Sequence, residues 1–123
     1  MHFKDLSKKK WTHIKELSFD QSIPETLSVT LVGWIGRKLK TKGTIEPSIL
    51  EKLKWASLNQ SIDQGAMGLY ECLLCKDHYD RGEIYIEGET AKYVSPKMII
   101  HYIEQHSYLP PKNFIEEIDK LKT

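Results

Sequence analysis

Apolar and polar positions divide this chain into a first half that reads as helical and a second that reads as strand, knuckle and helix. Between Phe3 and Phe19, Trp11, Ile14 and Leu17 recur at loose helical spacing among Lys8, Lys9, Lys10, His13 and Lys15, which predicts a basic N-terminal helix or arm over residues 1–20. Behind Pro24 and Glu25, the residues Leu27, Leu31, Trp34 and Ile35 fall on one helical stripe, so helix is expected across residues 24–58. The β-branched residues between them also permit a strand. Arg37 to Gly43 is a basic connecting loop closed by a glycine turn, and Pro47 then sits where a first helical residue belongs. Ile49, Leu50, Leu53 and Ala56 continue that helix at the right spacing.

From Ile62 onward the period changes. Gly68 to Glu71 runs extended into a cysteine pair, Glu83 to Ile86 alternates as a strand, and Thr90 to Val94 alternates again across the turn Glu87-Gly88-Glu89. Ser95 and Pro96 form a cap and a preferred first helical residue, after which Met98, Ile99, Tyr102 and Ile103 make an apolar helix face. Pro110-Pro111 ends that helix, and Lys112 to Leu121 is a closing amphipathic helix with Phe114, Ile115, Ile118 and Leu121 facing inward.

Composition narrows the function classes. At 123 residues the chain is expected to be one domain over 1–123, with residues 66–123 holding the knuckle, hairpin and two helices. Eighteen Lys plus Arg against seventeen Asp plus Glu leave a formal charge of +1, far from the balance of a dedicated nucleic-acid binder. No apolar run is long enough to cross a bilayer, and Met1 to Asp5 lacks the apolar core of a signal peptide, so a cytoplasmic location without membrane partners is expected.

The candidate chemistry is a metal site. Cys72 and Cys75, the only cysteines, precede His101 and His106 in the order C-x2-C then H-x4-H, the donor set of a tetrahedral zinc. A knuckle, a hairpin and a histidine-bearing helix repeat the layout of a zinc finger, with twenty-five residues between Cys75 and His101. One geometric condition follows. On a regular helix His101 and His106 point about 140° apart, so both can ligate only if the helix ends or tightens near His106. Glu104, one turn after His101, and His78, three residues after Cys75, are substitute ligands. Buried unligated thiols and a redox C-x-x-C are the competing readings of the cysteines.

Catalytic signatures are absent. Neither H-x-E before P-C-x-x-C nor H-E-x-x-H occurs, and no phosphate-binding glycine loop or nucleophile elbow accompanies the cysteines. A non-enzymatic protein is therefore expected, with a zinc-dependent hydrolytic enzyme, using Glu104 or Glu71 as base, as an alternative. A second alternative is a nucleic-acid-associated regulator working through Lys8, Lys9, Lys10 and Trp11 together with Arg37, Lys38, Lys40 and Lys42.

The stretch Tyr70-Glu71-Cys72-Leu73-Leu74-Cys75, then Gly82 to Ile86, Tyr93 to Pro96, and His101-Tyr102-Ile103-Glu104-Gln105-His106-Ser107-Tyr108-Leu109-Pro110-Pro111 resembles an uncharacterised family of small bacterial proteins. That family carries a C-x-x-C and an H-Y-I-E-x-H-x-Y-x-P-P signature, and Val32-Gly33-Trp34-Ile35 is similar to its V-G-W-L element. The resemblance implies a shared fold and carries the four candidate ligands at matching positions, while bringing no activity with it. The loop Arg37 to Gly43 departs from that family in being more basic.

The expected fold is α+β, with N-terminal helices packed on a small antiparallel hairpin and zinc-knuckle layer and two C-terminal helices. The expected function is an intracellular protein-interaction module with a structural zinc, of which a toxin-neutralising immunity protein is one example. Its partner would be another protein, with nucleic acid as the alternative.

Overall fold

The computed structural model describes residues 5–11, 27–37, 39, 41–62, 69–88 and 91–122. In chain order the elements are β1 (Ser7–Trp11), β2 (Leu27–Leu31), α1 (Pro47–Asn59), β3 (Ser61–Ile62), β4 (Leu69–Glu71), β5 (Tyr79–Arg81), β6 (Glu83–Glu87), β7 (Lys92–Pro96), α2 (Ile99–His106) and α3 (Lys112–Asp119). They form a five-stranded sheet of order β1-β2-β7-β6-β3 and a separate two-stranded sheet of β4 and β5.

The α+β class is therefore observed, with a different arrangement from the one the sequence predicts. Leu27–Leu31 is a strand, pairing antiparallel with β1 and parallel with β7, where Thr30 meets Tyr93 and Leu31 meets Val94. Val29 and Leu31 alternate onto one face of that strand and are buried there with Trp34 and Val94. The helix expected through Ile35 does not form. Gly33 and Gly36 have positive φ (94° and 67°), and Val32 to Ile35 run as a buried irregular segment. Ser7–Trp11 is likewise a strand, so a helix from Phe3 is excluded, while residues 12–20 lie outside the described residues.

Most of the remaining elements follow their patterns, while β3 and β5 are short strands in segments for which the sequence predicts none. In β6 the alternation puts Ile84 and Ile86 on the helix side, where they join Tyr93, Leu53, Ala56, Ile99, Tyr102, Phe114 and Ile118 in the main core. Tyr93 meets Phe114 edge-to-face at 5.6 Å. Pro47 opens α1 as expected. At the β6–β7 turn, Gly88 donates its N–H to the Ala91 carbonyl at 2.9 Å. A side chain at Gly88 would place its Cβ 2.6 Å from Glu117 Oε2 and 2.7 Å from the Ala91 carbonyl, so only glycine fits there. One helix start differs from expectation. Ser95 and Pro96 belong to β7, where they pair with Ile84 and Glu83, and α2 begins at Ile99 with Met98 as its cap residue.

The small β4–β5 sheet packs against the second face of the large one through Tyr70. Its ring meets Trp34 edge-on at 6.3 Å, and its hydroxyl donates to Glu83 Oε1 at 2.8 Å, beneath the hairpin. No helix among the described residues is long and apolar enough to cross a membrane.

Candidate metal centre

Two local structures bring the four predicted ligands together. The first is the turn between β4 and β5. The Cys72 N–H donates to the His78 carbonyl at 2.9 Å and the Lys76 N–H returns to the Cys72 carbonyl at 2.7 Å, with Lys76 left-handed at φ 60°. This curls residues 72–78 into a knuckle in which Cys72 is fully buried and Cys75 half-buried. The second is the end of α2. The Ser107 N–H bonds back five residues to the Tyr102 carbonyl, the Tyr108 N–H bonds to the same carbonyl at 3.1 Å, and Ser107 turns left-handed at φ 56°.

That widened last turn answers the geometric condition set by the sequence. A turn closed by a five-residue bond advances less per residue than a regular α-turn, so positions five apart return to the same side. His101 and His106, divergent on a regular helix, thus bring their Nε2 atoms within 3.3 Å of each other. The helix ends at His106, as the sequence required, and it does so through a widened turn stopped by the left-handed Ser107, not a tightened one.

The donor atoms are arranged around a common point. Cys72 Sγ lies 3.4 Å from His106 Nε2, Cys75 Sγ lies 3.5 Å from His101 Nε2, and all four donors lie within 4.8 Å of one another. A tetrahedral zinc with Zn–S of about 2.3 Å and Zn–N of about 2.0 Å separates sulfur from nitrogen by roughly 3.5 Å and nitrogen from nitrogen by roughly 3.3 Å. The residues present fit that group. Burial holds the His101 imidazole below its ordinary pKa, with His78 and His106 acting in the same direction, so the ring is kept in the neutral form that ligates. Burial pushes the Cys72 thiol up, against the backbone hydrogen bonds of Cys75 and Leu74 that pull it down.

The two substitute ligands stand elsewhere. Glu104 turns to Lys54, whose Nζ lies 3.1 Å away. His78 lies flat against His101, ring centroids 4.1 Å apart and planes 3° apart, with its Nε2 3.6 Å from Asp80 Oδ2. Sequence spacing offers His78 as a substitute ligand, and in the structure its ring lies against His101, one of the four converging candidates. A cleft of about 590 Å³ opens beside the centre, lined among others by Cys75, His78, Asp80, Lys97, His101 and His106. Spacing gave no signal for Asp80 or Lys97, which reach the cleft from β5 and from the β7–α2 junction.

Lys8, Lys9, Lys10 and Trp11 fall on β1 at the edge of the large sheet. Arg37 is exposed in a turn, Lys42 is exposed and pairs by its backbone with Tyr108, and Lys38 and Lys40 lie outside the described residues.

Residues 1–119 match the model of a family described as a domain of unknown function, DUF7919, and the chain belongs to that family. No curated protein and no solved structure matches it.

Proposed function

We propose that this member of the DUF7919 family is a zinc protein in which Cys72, Cys75, His101 and His106 hold one structural ion, and that the stapled domain serves as a protein-interaction module. The convergence of two thiols and two imidazoles at tetrahedral spacings from two separate backbone segments carries the zinc part of this reading. Bound there, zinc would supply cross-linking between the knuckle and α2 and would hold both thiols as thiolates. The short hairpin needs such a tie, because its strands have three residues each. Elemental analysis of the purified protein tests the proposal. One zinc per chain, lost in Cys72→Ser, is expected; metal-free protein with both cysteines intact and reduced would overturn it.

The cleft favours a second reading, in which the ion also takes a substrate oxygen on its cleft side and acts as a Lewis acid. Counting ligands by X-ray absorption separates the two. Two sulfur and two nitrogen donors support the structural ion, while an additional oxygen donor supports the catalytic one.

A further inference from the structure

We propose that His78 is a positioning residue for the metal centre, a stacked imidazole that fixes the ring plane of His101 and thereby sets how long the ion stays bound; this rests on the zinc reading above. The observation is geometric. A half-buried histidine on a turn would ordinarily rotate toward water, yet His78 lies parallel to His101 at 4.1 Å, with only 3° between the planes. Such overlap restricts rotation of the His101 ring about its Cβ–Cγ bond, the motion that would swing Nε2 away from the donor group. The other approach to His101 is already constrained, since Tyr102 and His106 pack on it at 6.2 Å and 5.0 Å. His78 covers one face of the His101 ring and lines the cleft together with it.

The position of His78 is itself specified. Its carbonyl accepts the Cys72 N–H, so the backbone that forms the thiol knuckle also delivers the stacking ring. Asp80, two residues further along the chain, places its Oδ2 3.6 Å from the His78 Nε2, beyond hydrogen-bond length, so the stack with His101 is the close contact of this ring. Partners that hydrogen-bond the free ring nitrogen of a metal-bound histidine commonly change metal affinity about 10–100-fold when removed, and a stacked ring that restrains the same rotation is expected to act on that scale. Here the mechanism is ring stacking, so any flat ring of similar size should serve.

The test compares zinc-loaded wild type, His78→Ala and His78→Phe. Zinc release to an excess of chromophoric chelator is followed in time, and cobalt-substituted samples report the ligand field at the ion. Equal zinc content in all three is expected, with release at least about tenfold faster and an altered cobalt spectrum in His78→Ala. In His78→Phe both should return close to wild type. Identical release from wild type and His78→Ala would overturn the proposal. So would equal acceleration in both variants, which would assign the effect to charge or hydrogen bonding and exclude stacking. Wild type that binds no zinc would fail the parent reading, and the positioning role with it, and is distinguished by the zinc content measured before any release begins.

Discussion

His106 and Tyr108 show how much hangs on single residues at the end of α2. Two positions after the last proposed ligand, the Tyr108 hydroxyl donates to Asp5 Oδ2 at 2.6 Å, while Asp5 Oδ1 accepts the Gly33 N–H at 3.0 Å. One carboxylate thus ties the start of the chain, the irregular segment after β2 and the stop of the histidine helix. Burial, with Asp5 beside it, drives the Tyr108 hydroxyl far above its ordinary pKa, so it remains a donor. Replacing Tyr108 with Phe should cost about 1.5–3 kcal/mol, the range for a hydrogen bond to a charged group, as read from the urea midpoint. Tyr85 is the opposite case. Its hydroxyl is buried without a hydrogen-bond partner among the described residues, so Tyr85→Phe should leave the midpoint unchanged or raise it. The four donors were legible at this scale, because thiol and imidazole are rare residue types and their spacing is a direct statement of chemistry. The stacking of His78 was not, because nothing in a C-x2-C-x2-H spacing distinguishes a ring that binds an ion from one that lies against a ligand.

Among the elements, the outcome depended on how much periodicity each segment retains. β6 alternates polar and apolar residues in sequence and α3 repeats apolar residues at helical spacing, and each was readable from that period. β2 and the segment after it are buried at every position from Val29 to Gly36, and a continuous apolar run carries no period to decide between helix and strand. Pairing with β7 decided it. The same scale would govern the response to removing the proposed ion. β4 and β5 form their own two-stranded sheet, joined to the rest by the Tyr70 contacts and by the knuckle, whereas the large sheet is packed against three helices. A hairpin so short is marginal alone. Chelation should therefore release amide protection in residues 69–81 and the last turn of α2 first. Protection in β6 and β7 should persist, as measured by hydrogen exchange; uniform loss across both sheets would contradict this order.

Over the whole molecule, the mixed sheet couples distant parts of the chain and places several tyrosines in its interior. Burial holds the Tyr85 and Tyr93 hydroxyls above the ordinary tyrosine value, with Glu87 adding at the first and Glu117 at the second. Their folded pKa values exceed the unfolded value of about 10, so the unfolded chain ionises first as pH rises. Stability from these groups is whole below pH about 10 and is lost progressively above it. Urea midpoints measured from pH 7 to 11 should stay level and then fall, and a flat profile to pH 11 would show that the rings ionise freely in the fold. By itself the sequence determined the class of the fold, the strands and helices with a clear period, and the identity of all four candidate ligands, since these are written in local patterning and in residue chemistry. Only the tertiary structure decided that Leu27–Leu31 is a strand beside β7, that α2 widens so His101 and His106 converge, and that His78 stands beside the centre. Each of these depends on a partner distant in sequence or on the geometry of a single turn, and neither leaves a mark in the order of apolar and polar residues.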